Sequence, residues 1–173
     1  MKKIFLIAFS AFFLFIVSYN FFVTTSASLP KNTIIDSLCV FKSQRALQVF
    51  AQGKLVKTYE ISLGLQPEGD KQFEGDNKTP EGLYRIHDKN PNSRFHKNLG
   101  VSYPNEKDLE EATALGKPVG KDIKVHGLGT FRGLLGKLHL WVDWTAGCMA
   151  ITNGEIDELY DVVAVGTPIL IQP

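Results

Sequence analysis

Two side chains in this sequence could do covalent chemistry with little bulk beside them: His126 in KVHGLG and Cys148 in DWTAGCMAI. A thiol becomes a nucleophile when a base takes its proton, because free cysteine, with a pKa of about 8.5, is mostly protonated at neutral pH. Histidine suits the role of base, since its own pKa lies near working pH. Gly127 and Gly147 stand next to the pair. Glycine lets a substrate carbonyl approach the backbone closely, and the neighbouring N–H groups can then face a developing oxyanion.

His87, His96 and His139 are rival bases. Strand-like alternation in LHLWV sets His139 opposite Leu138 and Leu140, as a surface residue or one behind the site. His126, His139 and Cys148 lack the ligand spacing of a zinc centre, and none of the chemistry considered needs a metal or cofactor. Cys39 and Cys148 could form one disulfide in an oxidising compartment, which would abolish thiolate chemistry at Cys148. Their neighbourhoods differ, one an alternating apolar stretch and the other a small-residue run, which favours two free thiols. A purely structural Cys148 stays open as the plain alternative.

The elements that must position these residues are mostly strands. Residues 37–64 read as a three-strand meander, broken at 43–45 and at Gln52-Gly53. A loop rich in Gly, Pro, Asp and Asn follows, then a strand over 83–87 and a polar turn at DKNPNS. LGVSYP and KDIKVHG read as extended, the latter with Ile123 and Val125 on one face and Lys124 and His126 on the other. NEKDLEEATALG predicts a helix capped by Asn105, with Glu106, Asp108, Glu110 and Glu111 on its wet face. TNGE is a capping box opening a helix over 153–160, and TPILIQP closes the chain as a strand. The expected fold is mainly β, a sandwich or barrel with one or two short helices.

The chain opens with Lys2 and Lys3, an apolar stretch over 4–23 and small residues at Thr25 and Ala27. Residues 1–28 read as a signal peptide cleaved after Ala27 or, if uncleaved, as a membrane anchor through 4–23. Either outcome exports the rest, to a periplasm or cell envelope. About 140 residues remain, enough for one domain with a real core. Lys and Arg total 19 against 18 Asp and Glu, and without a basic run nothing points to nucleic acid.

KVHGLG followed by TAGC, with Cys148 lying 22 positions after His126, resembles the catalytic signature of the L,D-transpeptidases, the YkuD-like domain. The strands of LQVFAQGKLVKTYEISLG, the entry KTPEGLYRI and the Asp-Trp-Thr-x-Gly-Cys form of the motif are also similar to that family, over residues 34–172. The resemblance implies a β-sandwich-like catalytic domain acting on peptidoglycan stem peptides. A thiolate attacks the carbonyl between an L-residue, often diaminopimelate, and a terminal D-alanine. An amine from another stem then resolves the acyl-enzyme as a crosslink, or water resolves it as trimming. Position by position, Cys148 matches the nucleophile and His126 the base. Gly147 and Cys148 match the residues whose N–H groups face the oxyanion, and Thr145 matches the Ser/Thr of the motif.

Two positions depart from the family pattern: Ala146 stands where a second histidine is common, and Ala150 where Arg or Asn is common. Asp143 or Trp144 is expected to help place substrate, Asp143 by pairing with a diaminopimelate ammonium. Gly127 is expected along the substrate face. Tyr103 either lines the cleft, donating to the oxyanion, or packs. Residues 105–120 are expected to form a lid. Two other functions keep the same site in view: a hydrolase releasing D-alanine or peptidoglycan-linked groups, and a non-catalytic module binding wall peptides. The Cys-before-His order of papain-type and NlpC-type peptidases is reversed here.

Overall fold

The computed structural model describes residues 28–173 together with Leu14. The expected signal or anchor, and with it the apolar stretch over 4–23, therefore lies almost wholly outside the described residues. Among the described residues no helix is long and apolar enough to cross a membrane.

Strands β1 (Ser37–Phe41), β2 (Ala46–Ala51) and β3 (Lys54–Glu60) form the expected meander. Gln52 and Gly53 both take positive φ, the conformation that a two-residue hairpin turn demands. The sheet continues through β4 (Gly82–Ser93), β5 (His96–Val101), β6 (Lys124–His126), β7 (Met149–Ala150) and β8 (Pro168–Gln172), in the order β3-β2-β1-β8-β4-β5-β6-β7. The apolar residues of β8 wedge between β1, which it meets in parallel, and β4, which it meets antiparallel. The sandwich-like shape thus comes from one eight-stranded sheet that curls. Its two ends meet through bridges from Ser62 to Ala150 and from Gly64 to Thr145.

DKNPNS is not a turn. It lies within β4, whose pairing with β5 shifts register after Ile86 and again after Asn90, and the chain reverses at Arg94-Phe95 instead. Irregular pairing at the strand end tolerates the proline that a regular central strand would reject.

Helix α1 (Glu106–Ala114) carries a capping box between Asn105 and Asp108. Asp108 does not belong to a wet face: it is buried and accepts the Tyr84 hydroxyl at 3.0 Å. The segment expected to act as a lid is pinned further by Tyr103 Oη donating to Val119 O and by Glu74 N–H donating to Pro118 O. Next come α2 (Gly129–Gly133), a 3₁₀ turn over Gly136–Trp141, and α3 (Asn153–Val162), capped by the Thr152–Glu155 box. Gly129 and Gly136 at positive φ break the run between α2 and the 3₁₀ turn into short pieces.

The core fills the inside of the curl, with Val49, Ile86, Leu99, Val125, Met149 and Ile151 fully buried. Cys39 and Cys148 are both free thiols. Cys39 belongs to β1, where its Sγ approaches Gln172 Oε1 at 3.7 Å.

Glu158 fastens α3 to the meander by accepting from Lys57 Nζ, Tyr59 Oη and the Leu29 N–H. Burial pushes its carboxyl upward, but these donors outweigh it and hold the pKa below 4.5. A depressed carboxylate contributes stability above its unfolded pKa and loses it as pH falls through the lower folded value. Glu158→Gln is expected to cost about 1–3 kcal/mol in urea unfolding at neutral pH. The deficit relative to wild type should shrink as pH falls below 4.5 toward the lowered folded value; a deficit unchanged by acid would count against this.

Candidate active site

The site is built on a row of residues directly opposite one another across neighbouring strands. Asn98 of β5 pairs with His126 of β6, His126 with Ala150 of β7, and Ala150 with Ser62. Residues opposite one another in a sheet share a face. The alternate residues Leu99, Val125 and Met149 enter the core, so this row forms the other face, roofed by the segment over 128–144. Cys148 precedes β7 by one residue and stands two before Ala150. Because Ala150 pairs with His126, Cys148 lies two residues along the chain from the position beside that histidine.

The imidazole of His126 is 3% exposed. Phe95 stacks on it at 4.5 Å and Trp144 meets it edge-on at 5.8 Å. Its Nδ1 lies 2.6 Å from Gly127 O. A carbonyl only accepts, so Nδ1 carries the proton and Nε2 of the neutral ring bears the lone pair. Burial pushes the pKa down to about 4. The Gly127 bond opposes this, while Lys124, Arg94 and Arg132 add to it. The surroundings therefore favour a neutral His126 ring at physiological pH. Gly127 has no room for a side chain: a Cβ there would lie 2.8 Å from Asn153 Oδ1 and from Phe95 O.

Cys148 is partly buried, and its Sγ donates to Asp122 O at 3.4 Å. Burial raises its pKa above 9.0, against the lowering influence of the Lys124 backbone and charge. The resting pair is therefore thiol and imidazole, not thiolate and imidazolium.

Several expected roles change. The Gly147 N–H is committed to Thr145 Oγ1 at 3.0 Å, so it does not point at an oxyanion. Thr145, buried, also donates to Cys148 O at 2.7 Å and so braces the turn from within. Gly147 itself has φ +133, and a Cβ there would fall 2.5 Å from Lys78 O. Asp143 is not free for a diaminopimelate ammonium. Its Oδ2 pairs with Arg45 Nη2 at 2.8 Å and its Oδ1 accepts the Leu63 N–H at 2.8 Å. Tyr103 packs against Tyr84 and spends its hydroxyl on Val119 O. Trp144 is beside the site, as one wall of the His126 enclosure.

Of the two placements expected for His139, the structure gives the one behind the site: the residue is buried, on a 3₁₀ turn over Gly136–Trp141 and not on a strand. Ser62 Oγ contacts both His139 O, at 3.0 Å, and His139 Nδ1, at 3.1 Å. One hydroxyl proton serves the carbonyl, so Nδ1–H donates to Oγ and Nε2 is left as an acceptor with no partner among the described residues. Burial carries this imidazole, too, to about 4. His87 and His96 lie elsewhere, against Asp88 and Asp157. Among the described residues no group of three or more His, Cys, Asp or Glu is placed to hold a metal ion. Phe95, Ser62 and His139 had no signal in motif spacing: Ser62 joins the row through its bridge to Ala150, Phe95 comes from the β4–β5 reversal and His139 from the 3₁₀ turn.

A family model described as the L,D-transpeptidase catalytic domain, YkuD, matches residues 36–171. The chain belongs to this family. YafK of Escherichia coli strain K12, named only provisionally as an L,D-transpeptidase, is 29% identical over 130 residues, covering 72% of this chain and 45% of YafK. Bd1075 of Bdellovibrio bacteriovorus superposes with a TM-score of 0.58 at 25% identity, over 84% of this chain and 54% of that one. The helical cell shape determining protein Pgp2 of Campylobacter jejuni gives a TM-score of 0.59 at 24% identity, over 91% and 54%, and speaks to fold alone. The chain spans about half the length of these relatives.

A family thiol with a raised pKa should be slow toward simple alkylating agents at neutral pH. Iodoacetamide labelling of Cys148, separated from Cys39 by peptide mass mapping, is expected to accelerate up to and beyond pH 9.0. A rate already on its plateau by about pH 7 would show a preformed thiolate and contradict this assignment.

Proposed function

We propose that the chain is an exported acyltransferase that cuts and rejoins peptidoglycan stem peptides at an L–D bond through a Cys148 thioester. The observation that carries the reading is the His126 Nδ1 held by Gly127 O, which leaves Nε2 its lone pair, on a residue whose strand partner Ala150 stands two positions after Cys148.

In the first step the Cys148 proton passes to His126 Nε2 as Sγ bonds to the carbonyl carbon. The oxyanion that forms faces the Cys148 N–H, since the Gly147 N–H is already taken. Collapse breaks the C–N bond, and His126 returns its proton to the departing D-amino acid. An amine of a second stem then attacks the thioester and gives a proton to His126; the C–S bond breaks as His126 passes that proton to the departing sulfur, restoring the thiol. Water in place of the amine trims the stem without crosslinking.

Because the thiol starts protonated, its activation depends on substrate arriving beside His126. A base must be unprotonated, so activity should persist at neutral pH and fall as pH drops through about 4. His126→Gln is expected to lower turnover of a disaccharide tetrapeptide by about 10²–10⁴-fold. Cys148→Ala should abolish turnover along with the covalent adduct that a carbapenem leaves on the protein. Mass spectrometry of the products separates dimers, which mark transfer, from trimmed monomers, which mark hydrolysis. Undiminished turnover in Cys148→Ala would end the reading.

A further inference from the structure

Large apolar side chains crowd the outside of the segment that roofs His126. Phe131 and Leu134 are 88% and 80% exposed, and Leu135, Trp141 and Val142 are exposed with them. Lys137 and His139 take the inner positions of the 3₁₀ turn, which leaves Trp141 and Val142 outside. Exposed apolar residues scattered singly are ordinary, but a concentration of this kind marks an interaction surface. The segment LGTFRGLLGKLHLWV contains no acidic residue. Arg132, exposed among these side chains, makes no ion pair among the described residues. The same surface lies beside the point where the chain enters the domain. Lys137 Nζ pairs with Glu155 at 2.6 Å, and the Leu29 N–H is held by Glu158. Glu155 and Glu158 are three residues apart in α3, so they share one helix face, with about 5–6 Å between their Cβ atoms.

We propose that the exposed apolar face over residues 131–142 seats on an anionic phospholipid bilayer, the one that the apolar stretch over 4–23 enters. This surface is independent of the thiol chemistry proposed above. Residues 24–28 separate that stretch from Leu29, and the chain across them reaches at most about 22 Å when fully extended. A bilayer holding residues 4–23 therefore lies within that distance of Leu29, on the side of α3 where the roof is clamped. The side-chain types fit such a surface. Tryptophan favours the headgroup level, phenylalanine and leucine enter the acyl boundary, and an arginine with no carboxylate partner matches lipid phosphate. The lack of acidic residues removes the repulsion that an anionic leaflet would otherwise exert. The chain's own apolar stretch brings a bilayer to this side of the domain, which favours lipid over a second protein as the occupant. Seating there ties the roof over His126 to the membrane, so the site is held close to the bilayer and not at the end of a loose tether.

The test reads Trp141, which with Trp144 makes up the indole emission of the chain. The full chain is reconstituted into vesicles of phosphatidylethanolamine and phosphatidylglycerol, with ordinary or with brominated acyl chains, and flotation measures its incorporation. Bromine quenches an indole only on close approach, so a domain that merely hangs from an anchor stays bright. Emission is expected to drop about twofold in the brominated vesicles, as for a ring seated about 5–10 Å into the interface. Trp141→Phe should remove most of that drop. Phe131→Ser with Leu134→Ser should reduce it without unfolding the domain, since both side chains are exposed. Equal emission in the two kinds of vesicle overturns the surface, as does a chain that does not float with them. A Trp141 that acrylamide cannot reach, yet bromine leaves bright, also overturns it and marks a second protein chain as the occupant.

Discussion

The candidate site depends on a parallel pairing only two residues long, Val125 with Met149 and His126 with Ala150. So short a ladder cannot hold itself, and the rest of the fold supplies the constraint. On one side β5 pairs with β6; on the other Ser62 exchanges both backbone hydrogen bonds with Ala150. Closing the curled sheet brings Gly64 against Gly147, where a Cβ on Gly64 would meet Asn77 O at 2.1 Å. Asp143 then locks the approach, since its carboxylate joins Arg45 of the meander to the Leu63 N–H. The capped start of α3 follows within three residues of β7, and Asn153 reaches back to the Leu128 N–H. Cys148 is thus placed by contacts from regions distant in sequence.

That enclosure also sets the charge state. A buried imidazole between two rings, with cations beyond them, resists becoming a cation itself, and a half-buried thiol resists becoming an anion. The two effects point the same way and favour an uncharged resting pair. Reactivity then belongs to the complex with substrate, where proton transfer and attack occur together. A thiol of this kind is protected from adventitious oxidation, which follows thiolate character.

Much of this was legible in the sequence because it is local. The meander, the Asn105 cap, the Thr152–Glu155 capping box and the His-Gly and Thr-x-Gly-Cys motifs are signals written over a few residues, and each stands where the pattern predicts. What was not legible depends on closure of the sheet. Asp143 looks available until Arg45, 98 residues away, is brought to it. The Gly147 N–H looks like an oxyanion donor until the turn folds it onto Thr145. His139 could read as exposed if LHLWV were extended, but Gly136–Trp141 winds as a 3₁₀ turn that buries it. Phe95 sits in a polar stretch with no periodicity, so its stacking on His126 could be found only from the fold. Ala146, where the family pattern commonly has histidine, is exposed and adds no imidazole to the row.

The central claim is that His126 rests as a neutral ring with its proton on Nδ1. A nitrogen-15 NMR titration of the histidines, with the His126 signals identified by their loss in His126→Gln, reads tautomer and protonation directly. The account predicts a neutral Nδ1–H tautomer at pH 7 that protonates only as pH falls toward about 4. A His126 that is imidazolium at pH 7, with Cys148 as thiolate, would contradict it.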